Sequence, residues 1–109
     1  MSDWNIMVVD DDREMRESLV DLIGAAGWRT QTLSRASEVD RQCRQDPPDV
    51  ILSDVRMPGM SGLDLLASLD PETSPPIVLI SAHGDIPMAV QAMQGGAYSF
   101  VEKPYEPRR

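Results

Sequence analysis

Residues 6–12 read IMVVDDD, a run of four apolar residues followed at once by three aspartates. The apolar run is too short for a helix and is typical of a strand that is buried on both faces. Residues 13–26 then carry apolar side chains at helical spacing, with Asp12 placed to cap the helix and Gly27 to end it. The chain is therefore predicted to begin with a buried strand, an acidic turn and an amphipathic helix.

Short apolar runs and helical segments go on alternating to residue 101. Further strands are predicted at residues 28–33, at 50–52 with Ser53 and Asp54 closing the strand, at 77–80 with Ser81 at the end, and at 97–101. Such alternation without an internal repeat is typical of a parallel sheet covered by helices on both faces. A closed eight-stranded barrel needs about 200 residues or more. We therefore predict an α/β fold, an open, doubly wound, five-stranded parallel sheet in three α/β/α layers.

Three more helices are expected between these strands. The first follows Ser34, which is placed to cap it, has Ala36, Val39 and Cys43 on one face, and stops before Pro47. The second carries the leucines of residues 63–69. The third begins near Asp85 and has its apolar face formed by Ala89, Val90 and Met93.

Polar residues stand at the carboxyl ends of four predicted strands: the aspartates of residues 10–12, Asp54, Ser81 and Lys103. Ligands of doubly wound sheets bind at this edge, where the strand order reverses. With the flavodoxin-like order 2-1-3-4-5, the strands that end at Asp10 and Asp54 are neighbours. We therefore expect the carboxylates of the two strands to meet, with Ser81 and Lys103 further along the same edge.

Carboxylates that meet at one edge repel each other, and a cation or a proton relieves the repulsion. Oxygen ligands favour Mg²⁺ or Mn²⁺, and two or three carboxylates leave coordination positions for water and a phosphate. The pattern thus indicates phosphoryl transfer, in which Asp54 suits the nucleophile that forms an aspartyl phosphate. Asp11 and Asp10 suit direct and water-mediated metal binding, and Lys103 suits charge neutralisation.

Other interpretations fit parts of this pattern. An aspartate run before a helix is often only a cap, and a single aspartate after a strand is often a loop residue. A phosphatase of the haloacid dehalogenase type would use Asp10 and Asp12 as its D-x-D signature and Lys103 as its lysine, but the chain leaves no room for a cap domain. A flavin or nucleotide module would need glycines after the first strand. A metal-free interaction domain would show no effect of Mg²⁺ on Trp or Tyr fluorescence.

Charge and composition exclude several other functions. The chain of 109 residues has 18 acidic and 10 basic side chains, a net charge of −8, so we do not expect it to bind nucleic acid directly. It has no 18-residue apolar run and no secretion signal, so no membrane segment is expected and the cytoplasm is the predicted compartment. Arg13 and Arg16 are expected to form a solvated face.

Four segments resemble the motifs of the receiver domains of two-component response regulators. They are residues 8–12 (VVDDD), 52–62 (LSDVRMPGMSG), 80–82 (ISA) and 102–104 (EKP), and together they span nearly the whole chain. Residues 81–93, SAHGDIPMAVQAM, are most similar to receivers of sigma-54-activating transcriptional regulators of the four-carbon dicarboxylate transport type.

The resemblance implies that Asp54 accepts a phosphoryl group from a phosphohistidine of a sensor histidine kinase. It implies that Mg²⁺ is bound directly by Asp11, Asp54 and the backbone carbonyl of Arg56, and through water by Asp10. The domain would then promote its own phosphorylation and dephosphorylation as a signalling domain and would not be an enzyme acting on other substrates.

The resemblance also implies a conformational switch after phosphorylation. Ser81 would bond the phosphate, Lys103 would pair with it, and Phe100 would change rotamer together with Ser81. Receivers normally end with a fifth helix, whereas this chain offers only YEPRR at residues 105–109. We therefore expect residues 1–109 to be a receiver domain without its last helix, from a longer regulator whose output domains are absent. Apolar surface would then be exposed on one sheet face, and homodimerisation through this region stays open.

Overall fold

The structure, a computed structural model, describes residues 4–55, 57, 59–70, 72–81 and 86–102. Within these residues the strands are β1 (Asn5–Val9), β2 (Arg29–Leu33), β3 (Val50–Asp54), β4 (Ile77–Ser81) and β5 (Ser99–Glu102). The helices are α1 (Arg13–Ala25), α2 (Val39–Gln45), α3 (Gly62–Ser68) and α4 (Ile86–Gln94), with a 3₁₀ turn at Ala36–Glu38 before α2. Strands and helices thus alternate as the sequence predicts.

All neighbouring strands of the sheet are parallel, in the order β2-β1-β3-β4-β5. This order confirms the flavodoxin-like fold predicted from the sequence. It reverses direction at β1, whose neighbours are β2 and β3, so the carboxyl ends of β1 and β3 lie side by side.

The two faces of β1 contribute to two separate core clusters. Met7 and Val9 belong to the larger cluster, which includes residues of α2, α3 and α4. Ile6 and Val8 pack on the opposite face with Leu19 and other residues of α1. Burial of each such aliphatic side chain contributes about 1.5 to 3 kcal/mol. The unbroken apolar run at the start of the sequence is therefore explained by a strand with a core on each face.

The face of the sheet that carries α1 is less fully covered than the opposite face. Within the described residues, α1 is the only helix whose residues join the cluster on this face. Val101 of β5 pairs with Ile80 and shares the face, and its side chain is 39% exposed. The apolar surface at this edge of the described sheet is therefore partly exposed.

The start of the second helical segment differs from the prediction. Ser34 is not its cap: the residue before the 3₁₀ turn is Arg35, and neither the turn nor α2 has a side-chain cap hydrogen bond. The chain enters the helix through the tight turn, in which the backbone N–H of Glu38 donates to the carbonyl of Arg35. The segment therefore begins without the predicted serine cap.

The orientation of α4 also differs from the prediction. Val90 and Met93, expected on the buried face, are 52% and 49% exposed, whereas Ala92 is fully buried. The end of α4 lies close to α3, because a Cβ added at Gly95 would be 3.2 Å from a methyl group of Leu66. Small residues therefore face the core, and the larger apolar residues face outward. Asp85 lies outside the described residues, and so does the side chain of Ala89.

Across the described ranges, no helix is both long enough and apolar enough to cross a lipid bilayer.

Candidate functional site

Burial and two hydrogen bonds hold Asp10 in place at the carboxyl end of β1. Its side chain is only 1% exposed, and its backbone N–H donates to the carbonyl of Leu33 at 3.1 Å. Its carboxylate accepts a hydrogen bond from the backbone N–H of Asp12 at 2.9 Å. Asp10 therefore occupies a buried and well-defined position between the ends of neighbouring strands.

Asp12 caps α1, as the sequence predicts. Its carboxylate accepts hydrogen bonds from the backbone N–H groups of Glu14 at 3.0 Å and Met15 at 3.4 Å. Such a cap contributes about 1 kcal/mol to helix stability, and the negative charge also interacts favourably with the helix dipole. The cap uses the side chain of Asp12, which leaves the other two aspartates of the run for the site.

The carboxylates of Asp10, Asp11 and Asp54 form one cluster, in which each offers an oxygen within 4.8 Å of the others. Val9 pairs with Ser53, so Asp10 and Asp54 stand level at the ends of adjacent strands. Asp54 is 9% exposed and Asp11 is exposed to solvent. The prediction that the strand order brings these carboxylates together is in agreement with this geometry.

The donor set of this cluster fits a hard divalent cation. Carboxylates this close together repel each other when both are charged, and a bound cation relieves the repulsion. Three carboxylates supply oxygen ligands only and leave coordination positions for water or a phosphate oxygen. Because Asp11 is exposed, the cluster is open to solvent on one side. The arrangement is suited to holding a cation next to the carboxylate of Asp54.

Two residues to which the sequence analysis assigned no role support the backbone at Asp54 and Val55. The fully buried hydroxyl of Ser53 donates to the carbonyl of Asp54 at 3.0 Å. The backbone N–H of Gly62 donates to the carbonyl of Val55 at 2.8 Å. A Cβ at Gly62 would lie 2.9 Å from the Cα of Val55 and closer still to the carbonyl oxygen of Asp54. Only glycine allows α3 to begin this close to the end of β3. The last glycine of the segment MPGMSG, at position 62, is the sequence feature that could have indicated this close approach.

Ser81 and Phe100 lie on adjacent strands and on the same face of the sheet. Leu79 pairs with Phe100, and Ser81 follows Leu79 by two residues. Ser81 is fully buried, and it lies one residue beyond Ile80, the partner of Asp54. Phe100 is partly buried against the larger core cluster. The two predicted switch residues are thus close in register, although their roles stay predictions.

Arg56 and Lys103 lie outside the described residues, so the roles predicted for them also stay predictions. The prediction for the arginines of α1 holds for one of them. Arg13 is 81% exposed and pairs with Glu17 at 3.0 Å, as expected for a solvated face. Arg16 is half-buried, and its Nη1 donates to the backbone carbonyl of Asp10 at 2.8 Å. The sequence reading missed this contact with the site.

The fold and the acidic cluster define a class of α/β domain with three carboxylates at the point where the strand order reverses. Residues 6–109 match the family model of the response regulator receiver domain, and the chain belongs to that family. It is therefore a receiver domain of the two-component response-regulator type.

The relatives of the chain include transcriptional regulators. It is 44% identical over 101 residues to the C4-dicarboxylate transport transcriptional regulatory protein DctD of Pseudomonas aeruginosa. The aligned region covers 92% of this chain and 22% of that protein. It is 41% identical over 106 residues to the transcriptional regulatory protein FixJ of Bradyrhizobium diazoefficiens. The aligned region covers 96% of this chain and 52% of that protein. The chain thus spans only part of these relatives.

Solved structures of receiver domains have the same fold. The crystal structure of FixJ-N superposes with a TM-score of 0.88 at 37% identity and covers 98% of this chain and 86% of that chain. NtrX from Brucella abortus gives a TM-score of 0.88 at 31% identity, with 96% of this chain and 24% of that chain covered. These findings confirm the predicted family and its similarity to dicarboxylate transport regulators, and they give no support to the phosphatase alternative.

Proposed function

We propose that this domain accepts a phosphoryl group on Asp54 from a phosphohistidine of a sensor histidine kinase, in a reaction that requires Mg²⁺ and that Mn²⁺ also supports. The observation that carries the proposal is the cluster of Asp10, Asp11 and Asp54 at the carboxyl ends of adjacent strands. It combines a carboxylate nucleophile with ligands for a cation at the usual ligand position of this fold.

In the proposed reaction a carboxylate oxygen of Asp54 attacks phosphorus, and the bond between phosphorus and the imidazole nitrogen breaks. The nitrogen keeps the electron pair, so the products are an aspartyl phosphate and a free histidine. Asp11, Asp54 and the backbone carbonyl of Arg56 would hold the cation directly, and Asp10 would hold it through water. A bound Mg²⁺ neutralises charge on the phosphoryl oxygens during the transfer.

The response to phosphorylation would use the neighbouring strand ends. Lys103 pairs with the phosphate, Ser81 moves to donate its hydroxyl hydrogen to a phosphate oxygen, and Phe100 changes rotamer as Ser81 moves. The shared face of Ser81 and Phe100 supports this coupling, because a shift of one side chain opens space beside the other.

The domain would act as a signalling domain of a longer regulator and not as an enzyme on other substrates. Residues 1–109 would be the receiver without its last helix, and output domains would follow it, including a sigma-54 activator domain and a DNA-binding domain. The partial coverage of DctD supports this arrangement. The net charge of −8 supports the view that the receiver itself does not contact DNA. We also propose that the protein is located in the cytoplasm and that it can form a homodimer.

The test is intact mass spectrometry after incubation with acetyl phosphate and Mg²⁺. Wild-type protein is expected to gain one phosphoryl group, and the gain should disappear with a chelator and in Asp54→Asn. Asp70→Asn removes an exposed carboxylate elsewhere on the chain and should label like wild type. Full labelling of Asp54→Asn would place the acceptor on another residue and overturn the proposal.

A further inference from the structure

We propose that Arg16 is a positioning residue for the acidic cluster, fixing the loop from which Asp10 and Asp11 reach a bound cation. The inference rests on the proposed metal site and deepens it. Its starting point is the hydrogen bond of 2.8 Å from Nη1 of Arg16 to the carbonyl oxygen of Asp10.

Arg16 ties the acidic loop to α1 through two separate bonds. Its backbone N–H donates to the carbonyl of Asp12 at 3.0 Å, at the start of the helix. Its side chain extends back toward the helix N-terminus, the direction in which helical side chains lean, and reaches Asp10. Both ends of the three-aspartate run are therefore attached to a single residue of α1.

The bond to Asp10 controls the direction of Asp11. The carbonyl of Asp10 and the N–H of Asp11 belong to one planar peptide unit, so fixing the oxygen fixes the plane from which Asp11 continues. Asp11 is exposed, and packing alone restrains an exposed side chain little. Its place in the cluster consequently depends on the backbone that Arg16 holds.

Arg13 provides a comparison on the same helix. It is 81% exposed and its partner Glu17 is 63% exposed, so this ion pair contributes little. Arg16 is half-buried and donates to a backbone carbonyl of the site itself. A planar guanidinium has five donors in a rigid fork, whereas a lysine ammonium is a compact charge on a flexible stem. Lysine is therefore expected to keep the charge at position 16 and to lose the positioning.

A purely electrostatic role for Arg16 makes the opposite prediction. A guanidinium beside three carboxylates repels an incoming cation, so its removal would tighten cation binding. A positioning role predicts weaker binding after removal, because the carboxylates lose their fixed arrangement. The direction of the change therefore separates the two roles.

The experiment measures Mn²⁺ affinity of the full 109-residue chain from the EPR signal of free Mn²⁺. Arg16→Met and Arg16→Lys are both expected to weaken binding by about 10- to 100-fold, the range typical of hydrogen-bond partners that orient metal ligands. Arg13→Met is the matched control and should bind like wild type. Unchanged or tighter binding by Arg16→Met, or wild-type affinity in Arg16→Lys, would overturn the inference.

A second measurement on the metal-free protein separates this inference from the proposed function. Hydrogen exchange of the Asp12 amide, which donates to the carboxylate of Asp10 within the same loop, should be faster by NMR in both Arg16 variants than in wild type and Arg13→Met. An unchanged Asp12 amide overturns the role of Arg16, whereas a wild-type protein that binds no Mn²⁺ overturns the metal site. Arg16→Lys keeps the charge and the aliphatic stem, so it preserves the test if Arg16→Met fails to fold.

Discussion

At the scale of single residues, the aspartates after β1 show how one residue type takes different tasks at adjacent positions. Asp10 is buried next to Asp54, Asp11 reaches the same cluster from the surface, and Asp12 caps α1. The sequence assigned Asp12 to the cap and Asp10 and Asp11 to the metal, and the position of each side chain agrees with that division. The turn from β1 into α1 explains it, because each step along the chain changes the direction of the side chain.

Gly62 is expected to be intolerant of any side chain. A methyl group there would collide with the backbone of Asp54 and Val55, and the neighbouring atoms are backbone atoms that cannot rotate away. We expect Gly62→Ala to lower the free energy of unfolding by about 2 kcal/mol and to reduce phosphorylation, because the end of β3 has to move. Urea unfolding and acetyl phosphate labelling measure the two effects.

Gly24 supplies the control for this substitution. It lies within α1, and a Cβ at this position would have no heavy atom within 4 Å. Gly24→Ala should therefore raise stability by about 0.5 to 1 kcal/mol through helix propensity. Equal effects of the two substitutions would contradict the close approach of α3 to β3.

Cys43 is expected to react slowly with alkylating reagents in the native protein. Burial, and secondly the negative charge of Asp40, raise the pKa of its thiol above the ordinary value of 9.0. The unfolded chain lacks both causes and ionises at a lower pH. The linked contribution to stability is therefore fully present below about pH 9 and is lost as the pH rises through the higher native pKa.

Alkylation by iodoacetamide over a pH series measures this shift, since Cys43 is the single cysteine. The native profile should have its midpoint above that of the urea-unfolded chain. Asp40→Asn removes the smaller cause and should lower the native midpoint only in part. A native midpoint at or below that of the unfolded chain would show that the thiol is not shielded.

At the scale of elements, the strands were easier to predict than the helix faces. The strands β1, β3 and β4 each contain an apolar run of at least three residues. The start of β1 is found within one residue of its prediction, because burial on both faces leaves no polar interruption in residues 6–9. The face of α4 was predicted wrongly because large apolar residues were taken to mark the core. In the structure Ala92 is buried and Met93 is exposed, since the close neighbours of α4 leave room only for small residues.

The first residue of β1 is an exception to this apolar pattern. Asn5 is 3% exposed, and among the residues that the structure describes neither amide atom of its side chain has a hydrogen-bond partner. Its backbone is well paired, with its N–H donating to the carboxylate of Asp49 and its carbonyl accepting from the N–H of the same residue. An unsatisfied buried polar group costs about 1 to 3 kcal/mol. The side-chain amide of Asn5 therefore destabilises β1, and the backbone hydrogen bonds at this position do not depend on it.

We expect Asn5→Val to raise the free energy of unfolding by about 1 kcal/mol, because it removes the unpaired amide and favours the strand. Asn5→Asp is the contrasting variant and should be less stable than wild type, since it adds a charge to the same buried position. Urea denaturation of the three proteins gives the comparison. A large loss of stability in Asn5→Val would show that the amide is satisfied in solution by an ordered water molecule.

At the scale of the whole molecule, the strand order made the cluster predictable. Asp10 and Asp54 are 44 residues apart, as the numbering shows, and meet because a doubly wound sheet of this order places β1 beside β3. The support around the cluster was not predictable in the same way. Gly62 and Arg16 act through close approaches that strand periodicity does not encode, although the lean of helical side chains toward the N-terminus points Arg16 at the acidic loop.

The cluster also links the stability of the entire domain to divalent cations. Three carboxylates that lie close together in a chain of net charge −8 destabilise the folded state, and a cation that binds only the folded state stabilises it. Mg²⁺ at about ten times its dissociation constant should raise the free energy of unfolding by about 1.4 kcal/mol. Thermal unfolding at matched ionic strength checks this, with NaCl replacing MgCl₂ to exclude screening.

Without Mg²⁺, Asp54→Asn should be more stable than wild type because one repelling charge is gone, whereas added Mg²⁺ should stabilise it less. If wild type and Asp54→Asn gained the same stability from Mg²⁺, the cation would be binding elsewhere on the acidic surface.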